Sequence, residues 1–474
     1  MDDLRVWLKK AQEIKQIDQV DGADWDLEIG TITALNWRKK EYHALVFDNI
    51  KGYPAGSRVL TSSTSNAPLV ALTFNLPPGA SGLELIEVLR PKLQEWEHNS
   101  PNYDYQYVKT GAIMENVLEG DRIDLLKFPV PKWHELDGGR YIGTGDAVIT
   151  RDPDNDEINL GTYRIMVQDK NTTALYISPG KHGRVHYEKY HARGQPCPVV
   201  ISVGHHPALF RVANMALRPG SEYNYIGAVF GEPVKVIKEE ITGLPIPADA
   251  DIVIAGFSPP GVTRQEGPFG EWTGYYASKD RQAPILDVKR IYHRNNPILV
   301  GSPPGRAPSD SSYFRGVTTS AMVFNELSQA GIPDVKGVWM GEAPLVQFIV
   351  VSIKQRYAGH AKQAALIATQ SRTGAYMGRY TVVVDDDIDP TDLQEVLWAI
   401  CTRSDPEKDI DIIRRCWSTP LDPTIRKPTN AFYNSRAIID ACKPYEWKDE
   451  FPQEITISPE LKERVLNKFK DIIK

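Results

Sequence analysis

The sequence predicts a mixed α+β protein, with a β-rich middle region between a small N-terminal α/β unit and a C-terminal α/β region. Three observations predict it. A chain of 474 residues is too long for one ordinary hydrophobic core, so two or three domains are expected. The middle runs in short apolar stretches punctuated by Gly, Pro and Asp, among them Ala147-Val-Ile-Thr, Ala174-Leu-Tyr-Ile-Ser, Val199-Val-Ile-Ser-Val and Ile252-Val-Ile-Ala. Many short strands with turn punctuation describe a β-barrel or sandwich-like domain. Past about 317 the order becomes strand, helix, strand, helix, which argues for an open α/β layer. The boundaries that follow are 1–117, 118–316 and 317–474.

Taken in order, Leu4, Trp7, Leu8, Ala11 and Ile14 recur at helical spacing and predict an opening helix over 4–17. Between 43 and 74 short apolar runs alternate with turns; 83–96 then reads as a helix broken by Asn99-Ser-Pro-Asn-Tyr. In the middle region helices are expected near 184–192 and 207–216. Beyond it, 345–353 reads as a buried strand, 357–369 as an Ala-rich helix, 380–384 as a strand and 391–401 as a helix. The last helix has Ser458 as N-cap, Pro459 and Glu460 in its first turn and lysines near its end. Leu461, Val465, Phe469 and Ile472 form one apolar stripe, expected to pack on its own domain first and on a neighbouring subunit second.

Composition narrows the function. A formal net charge of -6 provides no basic field for nucleic acid or an anionic membrane, and no apolar run approaches a membrane span. Cys197, Cys401, Cys416 and Cys442 are far apart, without zinc spacing, and read as reduced thiols of a cytoplasmic protein. The N-terminus lacks a basic stretch followed by an apolar one, so no signal peptide is expected. Walker A, G-x-G-x-x-G after a strand, H-E-x-x-H and G-x-S-x-G are all absent.

What remains is an acid–arginine system. In Glu266-Gly-Pro-Phe-Gly-Glu271 two carboxylates lie on a segment whose glycines and proline exclude a regular helix. Upstream, Asn159-Leu-Gly-Thr-Tyr-Arg164-Ile-Met-Val-Gln-Asp-Lys-Asn171 supplies the cation such a pair needs. From these residues alone two readings stand open: a proton-transfer pair, or an Arg–Glu bridge that pins a loop.

The two clusters together resemble the UbiD family of prenylated-FMN-dependent reversible decarboxylases. The likeness runs from Phe47-Asp-Asn-Ile-Lys-Gly-Tyr to Lys443-Pro-Tyr-Glu-Trp-Lys, with support from Asp137-Gly-Gly-Arg-Tyr-Ile, Gly204-His-His-Pro and Val384-Asp-Asp-Asp-Ile-Asp-Pro. The resemblance implies a central split β-barrel that binds prenylated FMN, and a C-terminal domain ending in an oligomerisation helix. It implies non-oxidative decarboxylation of an aromatic or heteroaromatic acid through a covalent cofactor–substrate adduct, CO2 loss and protonation by a glutamate. An acrylic-type acid, a physiological carboxylase and a non-catalytic flavin-binding protein are the alternatives.

Residue by residue, the resemblance implies Arg164, Glu266 and Glu271 as the catalytic set, with Glu271 the proton donor. It implies Asn159, His182 and Glu222 as ligands of a divalent ion, usually manganese, with potassium a further candidate. Asn159, Leu160, Gly161, Thr162, Tyr163, Arg164, Lys181, His182, Glu222 and Arg379 are then the cofactor-binding residues. His182 is read in a turn and Glu222 just before a strand. Arg379 stands where the family usually has a lysine on the cofactor phosphate, and Arg315 falls near a substrate-lining position. A flavin prenyltransferase as cofactor source and a homo-oligomer, dimer or hexamer, complete the implied partners.

Overall fold

The computed structural model describes every residue except 277–279, 342–344, 427, 428, 430, 471, 473 and 474. The opening helix Leu4–Glu13 is capped by Asp3, whose carboxylate accepts the Val6 N–H, and buries Leu4, Trp7, Leu8 and Ala11. It stops short of 17 because Lys15 turns the chain at φ 57°. Four strands, Ile17–Asp21, Ala44–Asp48, Arg58–Thr61 and Ile298–Val300, form the N-terminal sheet in that order. Its last strand arrives from far along the sequence. A helix that propensity does not announce, Glu28–Asn36, rich in Ile and Thr, is held by tertiary burial. Gly30 lies so close to the Trp133 backbone that a Cβ there would stand 2.1 Å from the carbonyl oxygen.

The middle region is a ten-stranded sheet whose pairings are all antiparallel. Its main path runs Tyr141–Gly143, Arg164–Val167, Thr172–Tyr176, Arg281–His293, Ile252–Ser258, Cys197–Gly204, Ala147–Arg151, Ile158–Gly161. The 13-residue strand Arg281–His293 also pairs with Thr263–Glu266 and Asn116–Glu119, so the sheet branches there as a split barrel. Cys197–Gly204 is buried at every position because it faces two cores. Val199, Ile201 and Val203 point into one apolar cluster and Val200 into another, which is why its sequence reads as an unbroken apolar run.

The two expected helices are present as His182–Ala192 and Pro207–Ala213. Two local expectations need correction. His182 is the first residue of its helix rather than part of a turn. Glu222 does not precede a strand; it opens the helix Glu222–Phe230, whose Tyr223, Ile226 and Val229 are buried at helical spacing and which ends at Gly231 in the left-handed conformation.

The C-terminal region is the open α/β layer. Its sheet runs Val335–Trp339, Phe348–Ile353, Tyr380–Asp385, Tyr433–Ala441, Ile410–Trp417, with the central pairs parallel. Helices Ser312–Gln329, His360–Gln370 and Leu393–Arg403 accompany it. The terminal helix Pro459–Lys468 is capped by Ser458 as expected, but it buries none of its residues, so it does not pack on its own domain. Residues 452–457, which precede it, have no regular structure, and Ile455 among them is fully exposed.

One buried ionic junction ties the regions together. Arg211, in the helix Pro207–Ala213, donates to Thr64 Oγ1 at 2.5 Å and to Asp310 Oδ2 at 2.8 Å, and all three residues are buried.

Candidate active site

Strand registration brings the acid–arginine system together. Arg164 opens the strand Arg164–Val167 opposite Tyr176, and Glu266 closes Thr263–Glu266 opposite Arg281. After Glu266 the chain turns at Gly267, φ 87°. Gly138 packs so tightly on that turn that a Cβ would fall 2.0 Å from the Gly267 carbonyl oxygen. The Gly138 N–H donates to Pro268 O at 2.8 Å, and the Tyr141 hydroxyl donates to Pro268 O at 3.3 Å. Tyr141 and Phe269 rings meet at 4.1 Å. The Asp137-Gly-Gly-Arg-Tyr segment thus shapes the loop between the two glutamates.

One guanidinium engages both carboxylates. Arg164 Nε lies 2.8 Å from Glu266 Oε1, its NH2 donates to Glu266 Oε2 at 2.8 Å, and its NH1 donates to Glu271 Oε1 at 2.9 Å. Glu266 is further held by the Tyr141 hydroxyl at 3.1 Å on Oε1, with Arg281 Nε 3.7 Å from Oε2. The Glu266 side chain is fully buried, whereas that of Glu271 is 18% exposed, so the two acids differ in access to solvent protons. Burial opposes the Arg164 charge, but Glu266 and then Glu271 outweigh it and raise the Arg164 pKa. Burial, reinforced by the Glu266 charge, raises the pKa of Tyr141, which keeps it a hydroxyl donor.

A second cluster lies on the neighbouring connection. Asn159, on the strand Ile158–Gly161, is buried, with Nδ2 3.5 Å from the Tyr163 hydroxyl. The Gly183 N–H donates to that hydroxyl at 3.3 Å. The Tyr163 ring fills the space that side chains on Gly161 or Gly183 would need. Tyr163 thereby ties Asn159 to the N-terminus of the helix His182–Ala192, whose first residue is His182 and whose N-cap residue is Lys181. Thr162 Oγ1 donates to Asp146 O at 3.3 Å. Glu222 accepts the Leu160 N–H at 3.4 Å, and burial pushes its carboxyl up to about 7. Among the described residues no three His, Cys, Asp or Glu side chains form a metal-binding group; Asn159, His182 and Glu222 contain only two of that kind, with an amide as the third.

The remaining residues lie on the C-terminal side. Arg379 immediately precedes Tyr380–Asp385, and its NH2 donates to both oxygens of Asp422 at 2.8 and 2.7 Å. Arg315 sits in the first turn of Ser312–Gln329 with its guanidinium carbon 5.0 Å from the Trp272 ring centroid. Burial lowers its pKa, offset by Tyr376. Sequence reasoning missed Tyr141, Arg281, Trp272 and Tyr376. Tyr141 was visible in Asp137-Gly-Gly-Arg-Tyr; Arg281 becomes a neighbour of Glu266 only through strand pairing.

Comparison with known proteins follows the same outline. The family model for the UbiD 3-octaprenyl-4-hydroxybenzoate carboxy-lyase Rift-related domain matches residues 106–307. The corresponding C-terminal and N-terminal domains match 312–441 and 6–89. Pyrrole-2-carboxylic acid decarboxylase of Pseudomonas aeruginosa is 32% identical over 434 residues, covering 88% of this chain and 86% of that one. Phenolic acid decarboxylase of Bacillus subtilis is 30% identical over 450 residues, covering 92% and 91%. Among solved structures, the UbiD-class enzyme HmfF from Pelotomaculum thermopropionicum in complex with FMN superposes with a TM-score of 0.85 at 26% identity, covering 99% of this chain and 100% of that one. Vanillic acid decarboxylase of Sedimentibacter hydroxybenzoicus in open form, with its truncated second component, gives 0.84 at 28% identity, covering 100% and 99%. Fold, matched segments and level of identity agree, and the chain belongs to the UbiD family of prenylated-FMN-dependent reversible decarboxylases.

Proposed function

We propose that this protein removes CO2 from an aromatic or heteroaromatic carboxylic acid with Arg164, Glu266 and Glu271 as its catalytic residues. The observation that supports this most is the Arg164 guanidinium shared between a fully buried and a partly exposed glutamate. A bridge that only pinned the loop would need one of them. Relatives named for pyrrole-2-carboxylate, phenolic acid and vanillic acid decarboxylation point to the substrate class.

The residues fit the cofactor and a metal ion. Glu222 is a buried carboxyl whose pKa is pushed up to about 7 without a cation beside it, so it suits a divalent ion such as Mn2+ together with Asn159 and His182. The N-terminus of His182–Ala192, with Lys181 at its cap, offers the positive end that a flavin phosphate needs. Prenylated FMN, when bound, supplies the electron sink for the charge left by CO2 loss.

The chain's own residues do the rest. Glu266 accepts from Arg164 and Tyr141 and serves as the fixed anion that orients Arg164. Arg164 in turn positions Glu271 and presents its charge to the substrate carboxylate. Glu271, on the solvent-reachable side, delivers a proton to the carbon that has lost CO2 and regains one from water; in the carboxylating direction it removes that proton. The wider proposal includes K+ beside the divalent ion, a flavin prenyltransferase as cofactor source and a cytoplasmic homo-oligomer, for which the unpartnered helix Pro459–Lys468 is the support.

The test is CO2 release from a panel of pyrrole, furan, phenolic and acrylic acids by protein co-produced with a flavin prenyltransferase. Turnover of at least one aromatic or heteroaromatic acid is expected; silence across the panel with mature cofactor bound refutes the reading.

The metal site has its own signature. The folded Glu222 carboxyl is raised from 4.5 to about 7, so without metal the folded chain holds a proton that the unfolded chain has released. Stability is therefore lost as pH rises from about 4.5 to 7, by on the order of 3 kcal/mol. A bound divalent cation removes that loss. Melting curves with and without Mn2+ should show a larger stabilisation at pH 8 than at pH 5, and Glu222→Gln should reduce both the stabilisation and the difference. Equal stabilisation at both pH values counts against the site.

A further inference from the structure

We propose that Arg281 is a positioning residue for this reaction: it is the second cation that keeps Glu266 an anion when the substrate carboxylate takes up part of the Arg164 charge. The inference rests on the decarboxylase reading above. It starts from strand register. Glu266 and Arg281 stand directly opposite each other on the antiparallel pair Thr263–Glu266 and Arg281–His293. Arg281 Nε lies 3.7 Å from Glu266 Oε2, close enough for charge attraction but too far for a hydrogen bond. Tyr176 seats this second guanidinium. It pairs with Arg164 across the strands Arg164–Val167 and Thr172–Tyr176. Its ring centroid lies 4.7 Å from the Arg164 guanidinium carbon and 4.1 Å from that of Arg281. One aromatic ring therefore holds two cations beside one carboxylate. The Arg281 side chain is partly exposed and keeps some hydration, whereas Glu266 is fully buried and depends on its neighbours for its charge.

Charge balance shows why Arg164 alone does not suffice. In the decarboxylating complex Glu271 carries the proton it will donate, so the anions are Glu266 and the substrate carboxylate. With Arg164 and Arg281 the site then holds equal charge of both signs. Without Arg281, two carboxylates share Arg164, and one of them is sealed from water. Like charge and burial together drive a proton onto that one, Glu266. Once protonated, Glu266 is no longer the fixed anion that orients Arg164, and the effect reaches Glu271 and the substrate through that guanidinium. Among the described residues, the charged or titratable groups that face Glu266 are Arg164, Arg281 and Tyr141, with Glu271 on the same guanidinium and Asp137 near Tyr141. Tyr141 contributes a hydrogen bond without positive charge, and the two acids add negative charge. Within this set the second cation is Arg281.

The test uses flavin-loaded protein carrying Glu271→Gln, which turns over too slowly to interfere and has no titrating acid at that position. Pyrrole-2-carboxylate, furan-2-carboxylate, 4-hydroxybenzoate and cinnamate are each titrated in by calorimetry near neutral pH. Buffers of different ionisation enthalpy then count the protons taken up on binding. Uptake is expected to be close to zero with Arg281 present and to rise toward one proton when Arg281→Gln is added. Arg281→Lys should behave as the parent, and Glu266→Gln beside Arg281→Gln should cancel the uptake. In the enzyme with Glu271 intact, Arg281→Gln should move the acid limb of kcat up by about 1–3 pH units, the usual effect of one opposite charge at such a distance, with flavin content unchanged. Equal uptake with and without Arg281, or an acid limb that stays in place, overturns the proposal. So does a loss of acid binding on Arg281→Gln that persists beside Glu266→Gln, because Arg281 then touches the substrate itself. If none of the acids binds, the carboxylate-binding role of Arg164 falls and the proposal falls with it. If they bind but the panel above shows no turnover, the decarboxylase reading fails while proton uptake still decides the role of Arg281.

Discussion

Glu271→Gln is expected to lower CO2 release by about 10²- to 10⁴-fold while the protein keeps its flavin. The amide preserves the shape of the side chain and still accepts from Arg164 NH1, now 2.9 Å from Glu271 Oε1, so loop and guanidinium remain in place. It has no proton of suitable acidity to give. The defect should therefore sit in kcat, with substrate dissociation constants changed by less than a few fold. The measurement is single-turnover CO2 release beside flavin content from the visible spectrum. A variant that retains more than about a tenth of the wild-type rate would show that the proton comes from elsewhere.

Arg164→Ala should damage both stability and rate. The substitution removes three contacts at once and leaves Glu266, fully buried, with the Tyr141 hydroxyl and with Arg281 3.7 Å away. Stranding a buried carboxylate in this way costs about 3–5 kcal/mol. Arg164→Lys should rescue little, because a compact ammonium does not span two carboxylates as a planar fork does. Thermal unfolding of the pair of variants separates charge stranding from lost packing. Arg164→Ala with Glu266→Gln should be more stable than Arg164→Ala alone, a departure from additivity expected of groups in direct contact. An Arg164→Ala protein within about 1 kcal/mol of wild type would mean that Arg164 is not what offsets the burial of Glu266.

Much of the architecture could be read from periodicity. The apolar runs around 147, 174, 199 and 252 are strands of one sheet, and Ser458 caps the helix Pro459–Lys468. Failures arose where tertiary context overrides local pattern. Glu28–Asn36 is helical because it buries Ile29 and Thr33 and packs Gly30 on Trp133, none of which a propensity scale sees. Glu222 was placed before a strand because Tyr-Asn-Tyr-Ile looks β-like, yet its tyrosines alternate into a helix that buries them. At the site, Arg164, Glu266 and Glu271 stood out because glycine and proline flank the acids and no other motif competed. Arg281 did not, since it meets Glu266 only once the neighbouring strands Thr263–Glu266 and Arg281–His293 are registered, and the Tyr141 hydroxyl reaches Glu266 from 125 residues away. Arg379 stood out by its position before a strand, and in the fold its guanidinium meets Asp422.

The Arg211 junction bears on modularity. The matched family segments end at 307 and resume at 312, which makes the stretch between them resemble a linker suited to cutting, permuting or exchange between relatives. Asp310 lies in that stretch, yet it is the counter-charge of an arginine from the preceding segment, and Thr64 from the segment before that shares the same guanidinium. A chimera that changes one of these without the others inherits a charge sealed away from water. The units that sequence comparison separates are, physically, parts that must be inherited together.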